Sequence, residues 1–281
     1  MQNVYYINND FIKEHSLRYY LSIRYATDGL SFCIHDSKND RLLILFHQPF
    51  YVENNEVALE KAKQILEENA YLNLRFQKVF LLTCQKEKLL IPKDFFKEEL
   101  LIQFYQTCFP LHKNEMFLPQ EIKALESYII ETLPINFVTF LKQQYPTISI
   151  VSNAFSFIKQ SLTNLGNSKY HLFLDLHHLY FDLLLTRGTE ILLFNSFHHQ
   201  SISDIAYYAI NCLQQHEIHP HDLKTICSGN LVNEPTFSEI LEKYLPHLSI
   251  QNDSFLREII PNKDLNYSNF IHLLNIHQCE L

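Results

Sequence analysis

One short segment, from His216 to Asp222, gathers side chains that could bind a metal ion. It reads His-Glu-Ile-His-Pro-His-Asp, so it holds three imidazoles and two carboxylates. Neutral imidazole nitrogens and carboxylate oxygens are ligands for zinc and other divalent metals. Pro220 interrupts any helix here, so the segment does not present paired histidines on one helical face. Because the chain contains 15 His, a chance cluster in a solvated loop between a helix and a strand is the simpler interpretation.

The scarcity of glycine argues against a well-formed phosphate-binding loop. The chain has four Gly, where an average composition of about 7% would give roughly twenty. A phosphate-binding loop needs Gly because its backbone must approach the phosphate closely and adopt positive φ. Walker loops, Gly-x-Ser-x-Gly elbows and His-Glu-x-x-His helices are also absent from the sequence. The residues alone therefore predict no catalytic site.

The remaining histidines and cysteines offer no clear nucleophile. His198-His199 follows a predicted strand in the second half, and His47 holds a similar place in the first half, which indicates shared structure more than catalysis. A Cys/His nucleophile pair stays open, because such partners meet in space and not in sequence. The six Cys carry no Cys-x-x-Cys motif, and most fall at strand or helix positions typical of buried thiols in a reducing compartment.

The elements that must position such side chains occur twice along the chain. Tyr20 to Cys84 and Tyr170 to Gly229 each predict three short strands, an amphipathic helix and a fourth strand. Asp28-Gly29 supplies the first turn of the first copy, since Asp bonds the following backbone and Gly adopts positive φ without strain. His177-His178 occupies the corresponding turn of the second copy. Any α/β protein alternates strands and helices, but the shared order, turn positions and spacing favour a true duplication.

Period-two alternation of apolar and polar residues defines these strands, and Leu30, Phe32 and Ile34 should lie on one face with Ser31, Cys33 and His35 on the other. The predicted strands are 20–25, 30–34, 42–46 and 79–83 in the first copy, and 170–176, 180–186, 191–194 and 223–227 in the second. The predicted helices follow Asn54-Asn55 in the first copy and Ser201 to Asp204 in the second.

The segments outside the repeat predict further helices and a junction. We expect helices over 94–108, over parts of 118–145, over 235–244 and over 267–276, and short strands at 148–151 and 248–250. A crossover helix should run from 153 to 165 and end at Leu165-Gly166-Asn167. The predicted domains are therefore residues 1–166, with extra helices at about 110–145, and residues 167–281.

Length and composition limit the class of protein. With 281 residues, of which 47% are hydrophobic, the chain can bury a sizeable core. No run approaches the ~20 apolar residues that span a bilayer, so we expect no membrane span. The net charge of −8, without a basic block, argues against a nucleic-acid partner. Met1 to Tyr5 lacks the features of a secretory signal, so we expect a cytoplasmic protein.

The duplicated order of three hairpin strands, a helix, a strand and a helix resembles the actin-like ATPase superfamily, which includes sugar kinases, chaperone ATPases, actin and bacterial pilus- or division-assembly proteins. Ile148 to Val151, with the helix from Asn153, is similar to the segment leading into the second lobe of pilus-assembly members. More narrowly, Leu21 to His35 and Asp175 to Leu184 resemble an uncharacterised bacterial family of unknown function. The resemblance implies a duplicated, ribonuclease H-like α/β fold whose two lobes each hold a mixed β-sheet.

The same resemblance bears on nucleotide binding. Active members hold ATP and Mg between the lobes, and each first hairpin carries an Asp-x-Gly motif that contacts metal, water and phosphate. Here residues 24–26, Arg-Tyr-Ala, stand where the first motif is expected, and Asp28-Gly29 falls later, in the turn. The second copy keeps Asp175, but His177 replaces the Gly. Gly229 is what Ser228-Gly229-Asn230 keeps of the paired glycines at the adenosine-contacting turn.

Asp28, Gly29, Asp175 and Gly229 are thus predicted remnants of a nucleotide cleft. We expect a non-catalytic binding or scaffold module with a protein partner and with no resident cofactor or metal. The alternative is an atypical ATP-binding phosphotransferase or ATPase that binds ATP and Mg in the cleft between the lobes, at a site around Asp28, Asp175 and Gly229. Metal-dependent hydrolysis at His216 to Asp222 is a more distant third hypothesis.

Overall fold

The computed structural model describes residues 4–26, 28–50, 52, 55–163, 165–234, 236–251 and 267–278. These residues form two compact units. The first unit comprises the residues up to Ser156 together with 272–278, and the second comprises Phe157 to 251 together with 267–271. This division falls inside the helix that begins at Asn153, and it places the C-terminal turn with the first unit. The lobe limits 1–166 and 167–281 stay predictions.

The first unit is built around a six-stranded mixed sheet. The elements are β1 (Val4–Ile7), β2 (Tyr19–Ala26), β3 (Gly29–Asp36), β4 (Arg41–Pro49), α1 (Asn55–Glu68), β5 (Lys78–Thr83), β6 (Leu89–Pro92), α2 (Leu101–Cys108), β7 (Glu115–Ile122), β8 (Ser127–Pro134), α3 (Ile135–Gln144), β9 (Ser149–Ser152) and α4 (Asn153–Thr163). In the sheet, β2, β3 and β4 form an antiparallel meander, β1 pairs antiparallel with β4, and β5 and β9 join in parallel after crossovers. The strand order is β1-β4-β3-β2-β5-β9.

One face of this sheet packs on α1 and α3. Leu21, Ile23 and Phe32 lie in a continuous apolar core with Ala62 of α1 and Phe137 of α3. The apolar stripe of α1 follows helical spacing, as the sequence predicts, so burial of that stripe supports both the helix and the sheet. The core residues come from alternate positions along β2 and β3, as period two requires.

The second face of β3 is buried as well. Ser31, Cys33 and His35 lie on this face, as predicted, and all three are buried. The chain's C-terminal segment contacts this face, because the Cys33 thiol lies 3.7 Å from the carbonyl oxygen of Leu273, in the last helix. Alternation in the sequence therefore identified the two faces correctly, while both of them are covered.

The helices expected over about 110–145 are wrong for most of that range. Residues 115–122 and 127–134 form the hairpin β7–β8, which joins β6 in a three-stranded sheet of order β6-β8-β7. Glu126 turns the chain with a left-handed φ of 47°, and Tyr128, Ile129 and Ile130 of β8 have the aromatic and β-branched side chains that favour strands. Only 135–144 is helical, as α3. The helix predicted over 94–108 is confirmed from Leu101 onward.

The second unit repeats the plan of the first. Its mixed sheet has the order β12-β11-β10-β13-β14, with an antiparallel meander and two parallel strands. Helix α5 begins with a reciprocal cap, in which Ser201 Oγ accepts from the Asp204 amide and the Asp204 carboxylate accepts from the Ser201 amide. The elements are β10 (Tyr170–Leu176), β11 (Tyr180–Arg187), β12 (Glu190–His198), α5 (Ile202–Gln215), β13 (Leu223–Gly229), α6 (Phe237–Leu241), β14 (Leu248–Ile250) and α7 (Ile271–Asn275).

No helix in the described ranges combines the length and the apolar character needed to cross a membrane.

Candidate functional site

Each unit carries a row of paired residues across the middle of its sheet, beside the first hairpin. In the first unit the row runs Leu82, Arg24, Ser31 and His47 on β5, β2, β3 and β4. In the second unit the corresponding row, on β13, β10, β11 and β12, is Ser228, Asp175, Asp182 and Ser196. Directly paired residues of neighbouring strands point to the same face. The duplication therefore places basic groups in one row and acidic groups in the other.

Arg24 binds Asp28 inside the first unit. Arg24 Nη1 donates to Asp28 Oδ1 over 2.9 Å, and Nη2 donates to Oδ2 over 3.2 Å. Both side chains are buried, with Asp28 only 1% exposed. A bidentate guanidinium–carboxylate pair is among the stronger charge-assisted contacts. The Asp28 carboxylate, predicted as a metal or phosphate contact, is thus engaged by a cation of its own hairpin.

His47 continues this network across β3 and β4. Its Nδ1 shares a 2.8 Å hydrogen bond with Ser31 Oγ, and both residues are buried. Burial, followed by the positive charge of Arg24, lowers the pKa of His47 to about 4. The imidazole is therefore neutral at pH 7, and the row carries a single positive charge, on Arg24.

Gly29 closes the first hairpin for a steric reason. It pairs with Ala26 across the turn, and its φ is 149°. A Cβ at this position would lie 2.6 Å from the carbonyl oxygen of Gln48. The close approach of β4 explains this Gly without a ligand.

The carboxyl ends of the parallel strands β5 and β9 hold a polar cluster that sequence reasoning missed. Thr83 Oγ1 donates to Glu131 Oε2 over 2.6 Å, and Ser152 Oγ donates to Glu131 Oε1 over 2.5 Å. Glu131 is 1% exposed. Carboxyl ends of parallel strands are a common place for ligands in α/β proteins. The sequence predicts Thr83 as the last residue of one strand and Ser152 directly after another, but it predicts a helix around Glu131.

The second unit brings Asp175, His177 and Asp182 together. His177 Nε2 lies 3.2 Å from Asp175 Oδ2 and 3.7 Å from Asp182 Oδ2. The remaining carboxylate oxygens are also contacted: Ser228 Oγ donates to Asp175 over 2.8 Å, and Ser196 Oγ donates to Asp182 over 2.6 Å. The three central side chains are at most 5% exposed. The sequence predicts Asp175 as a remnant of a nucleotide cleft and places His177 where the resemblance implies Gly, but it does not single out Asp182.

His177 is held in this position by its backbone and by its ring. Its amide donates to the Tyr180 carbonyl over 2.9 Å, its carbonyl accepts from His199 Nε2 over 3.0 Å, and its ring stacks on that of Tyr180 at 4.3 Å. Burial lowers the pKa of His177, but the charges and hydrogen bonds of Asp175 and Asp182 outweigh burial and raise it overall. The ring occupies the turn at which the resemblance noted in the sequence implies Gly.

Gly229 is needed for the contact between two strands. It pairs with Leu176 in the parallel ladder, and its φ is 95°. A Cβ would lie 2.1 Å from the Leu176 carbonyl oxygen, closer than any real side chain comes. Of the predicted residues, Asp28 and Gly29 therefore share one hairpin, and Asp175 and Gly229 lie on the paired strands β10 and β13.

In the segment from His216 to Asp222, His219 and His221 are exposed, whereas Ile218 is buried in the core. His219 Nδ1 accepts from the His221 amide over 3.3 Å, and the two rings stack at 5.2 Å. Among the described residues, two groups bring three metal-binding donor atoms within 4.8 Å of one another, and both lie elsewhere: Asp175, His177, Asp182 and His35, Asp40, His277.

Comparison with solved structures identifies the fold. A Bacteroides thetaiotaomicron protein with an actin-like ATPase fold and unknown function is 24% identical, with a TM-score of 0.80 over 94% of this chain and 98% of that one. PilM, from a PilM–PilN type IV pilus biogenesis complex, is 12% identical, with a TM-score of 0.61 over 93% and 98%. The ethanolamine utilization protein EutJ from Carboxydothermus hydrogenoformans is 10% identical, with a TM-score of 0.53 over 92% and 88%.

The chain is therefore an α/β protein with the actin-like ATPase fold, as its sequence predicted. Curated protein sequences give no match. A sequence model of the protein family of unknown function DUF3822 matches residues 8–248, and the chain belongs to that family.

Proposed function

We propose that this protein is a non-catalytic actin-like module that binds a protein partner. The observation that carries the proposal is that both hairpin carboxylates already contact basic side chains of their own units, Asp28 that of Arg24 and Asp175 that of His177. A magnesium-bound phosphate would have to displace these buried contacts. Losing one partner of a buried ion pair typically costs about 3–5 kcal/mol, so the displacement is unfavourable.

The glycines support the same proposal. Gly29 and Gly229 both sit where a Cβ would collide with backbone of a neighbouring strand. Their presence is therefore explained by the fold. The position at which the resemblance implies Gly in the second hairpin holds His177, whose buried ring stacks on Tyr180 and leaves the backbone less accessible to a phosphate than Gly would.

The protein partner and the cytoplasmic location are part of this proposal. One structural neighbour, PilM, was solved in complex with another protein, PilN. Cys33, Cys84, Cys212 and Cys227 are buried, and buried thiols are typical of a reducing compartment. We infer a cytoplasmic assembly factor that uses its two units as binding surfaces.

One observation favours the alternative, an atypical ATP- and Mg-dependent phosphotransferase or ATPase. Asp175 and Asp182 provide two buried carboxylates around one imidazole, and their donor atoms lie within 4.8 Å of His177. Carboxylate oxygens are suitable Mg²⁺ ligands. A nucleotide that brings its own Mg²⁺ to this cluster would make Asp175 essential for binding.

Titration with ATP, with and without Mg²⁺, separates the two functions. Calorimetry and thermal melting are both suitable, because a ligand that binds only the folded protein stabilises it by RT ln(1 + [L]/Kd). We expect no binding in the millimolar range for the natural chain or for Asp175→Asn. Submillimolar binding that Asp175→Asn abolishes would overturn the proposal in favour of the alternative.

The partner is tested by reconstitution. Affinity capture from the native host, with the Gly188→Asn variant as a folded control, should yield one stoichiometric protein. The complex should then form again from the two purified components, with a measurable Kd. Failure to reconstitute any captured candidate would contradict the scaffold role even if ATP does not bind.

A further inference from the structure

A second group of metal-binding side chains lies at the end of the first unit's β3 that is remote from the Gly29 turn. His35, Asp40 and His277 bring three donor atoms within 4.8 Å of one another. His35 Nε2 lies 3.2 Å from Asp40 Oδ1. The rings of His35 and His277 stack with centroids 4.4 Å apart and planes 22° apart.

The hairpin between β3 and β4 positions the first two residues of this group. A bulge interrupts the pairing between Ile34 and His35, and such bulges redirect a side chain at the edge of a ladder. In the following turn, Asp36 accepts from the Lys38 amide over 3.0 Å. The turn ends with Asp40 at φ 48°, a left-handed conformation that Asp tolerates. The Asp40 carboxylate thereby lies beside the His35 ring.

The third residue comes from the C-terminal segment of the chain. Cys33 lies two positions before His35 on the same face of β3. Its thiol contacts the carbonyl oxygen of Leu273 in α7. The turn that follows α7, Ile276–Gln278, carries His277 to the His35 ring. Two elements from opposite ends of the sequence therefore converge on one group of donor atoms.

The donor set and its spacing suit a divalent transition metal. Two imidazoles and one carboxylate are the ligands of many three-residue zinc sites that keep a fourth position for solvent. Zinc–ligand bonds of about 2.0–2.1 Å in a tetrahedron place donor atoms about 3.3–3.4 Å apart. The 3.2 Å between His35 Nε2 and Asp40 Oδ1 matches this spacing. The Asp40 side chain is 64% exposed, so an ion and its water can reach the group from solvent.

The electrostatic state of the imidazoles also suits a metal. Burial, followed by the proximity of His277, lowers the pKa of His35 to about 4, and burial lowers the pKa of His277. These shifts favour the neutral form of the imidazole, which is the form that binds metals.

We propose that His35, Asp40 and His277 bind one divalent transition-metal ion of the zinc class, with solvent as the fourth ligand. The ion would tie the C-terminal turn to the β3–β4 hairpin. Because the ligands converge only in the folded chain, binding would stabilise the first unit. This site does not depend on the nucleotide or partner functions proposed above.

The test uses the full, untagged chain freed of metal with a chelator. Zn²⁺ is titrated against a competing chromophoric chelator, and Co²⁺ serves as a spectroscopic probe of coordination. We expect one Zn²⁺ per chain, a rise in melting temperature that EDTA reverses, and a four-coordinate Co²⁺ spectrum.

Two ligand variants and one control locate the ion. Asp40→Asn keeps the size of the side chain and tolerates the left-handed backbone, and His277→Gln removes one imidazole. Since loss of an outer-shell contact already costs about 10–100-fold in metal affinity, each variant should lose at least about 100-fold. His221→Gln, at an exposed position in the segment from His216 to Asp222, should bind as the natural chain does.

The proposal is overturned if Zn²⁺ does not bind at micromolar concentrations. It is also overturned if Asp40→Asn and His277→Gln both keep the affinity of the natural chain, or if His221→Gln loses binding while those two variants do not. Circular dichroism and metal-free melting of Asp40→Asn confirm that a lost affinity does not reflect a lost fold, because this exposed side chain contributes little to the core.

Discussion

Arg24 and Asp28 form a two-pronged ion pair inside the first hairpin. Both terminal guanidinium nitrogens donate, over 2.9 and 3.2 Å, to the two oxygens of one carboxylate. The geometry fixes both side chains, and burial removes the water that weakens such pairs at a surface. The Asp28 carboxylate therefore stabilises the conformation of its own turn.

Replacement of Arg24 should destabilise the folded chain. Arg24→Met leaves the Asp28 carboxylate buried without its guanidinium, so the free energy of unfolding should fall by about 3–5 kcal/mol. The double variant Arg24→Met/Asp28→Asn should recover a large part of this loss, since no uncompensated charge remains. Urea denaturation followed by circular dichroism measures both.

The exposed ion pair between Arg187 and Glu190 provides a matched control. These side chains lie 2.7 Å apart but are 51% and 55% exposed, so solvent screens them. Arg187→Met should change stability little. Equal losses in Arg24→Met and Arg187→Met would contradict the role assigned to the buried pair.

His47 should make stability depend on acidity. Its pKa is lowered from 6.5 to about 4 in the folded chain, so the neutral ring stabilises the fold fully above about pH 6.5. This contribution is lost as pH falls towards about 4, because the unfolded chain takes up the proton first. Complete titration corresponds to about 3 kcal/mol.

The variant His47→Asn isolates this effect. Asn keeps a polar atom near Ser31 but does not titrate, so the difference in unfolding free energy between the natural chain and the variant should shrink as pH falls from about 7 to about 4. Denaturation curves at several pH values give this difference. A difference that is constant over the range would show that His47 does not titrate as described.

Local patterns predicted the strands and turns that carry these residues, but not their partners. The alternation in β2 and β3 and the Asp28-Gly29 turn are properties of neighbouring residues. The pairing of Arg24 with Asp28 depends on the twist and packing of the hairpin. Likewise, His35 meets His277 only because α7 returns to the first sheet, and periodicity contains no information about that return.

The β7–β8 hairpin shows where local preference was overridden. Residues 120–126 include Gln, Glu, Lys, Ala and Leu, which are strong helix formers. Residues 120–122 instead pair with β8, with Ile122 opposite Ser127, and Lys123–Leu125 form only a 3-10 turn between the two strands. The same hairpin brings the buried Glu131 carboxylate to Thr83 and Ser152. Because the sequence predicts a helix here, it does not predict this contact.

His177 should behave as a buried cation between two acids. Its pKa is raised above 6.5 in the folded chain, so its contribution to stability is complete below about pH 6.5 and is lost as pH rises through the folded value. His177→Gln should cost about 3–5 kcal/mol at mildly acidic pH, because Asp175 and Asp182 lose their cation. The cost should decrease at alkaline pH. Urea denaturation of both chains at mildly acidic and at alkaline pH measures this cost. A cost that increases with pH would show that His177 is not a cation bound by Asp175 and Asp182.

Gly229 should tolerate no side chain, and the reason is contact more than backbone freedom. Gly229→Ala places a Cβ 2.1 Å from the Leu176 carbonyl at φ 95°, so β10 and β13 must separate. Strain and overpacking together should lower the free energy of unfolding by about 3 kcal/mol or more.

Gly188→Ala is the control, since Gly188 also has positive φ, at 55°, but a Cβ there meets nothing within 4 Å. Its cost should be limited to the left-handed backbone, about 1–2 kcal/mol. Equal costs in the two variants, measured by thermal and urea unfolding, would mean that the strand contact does not require Gly229.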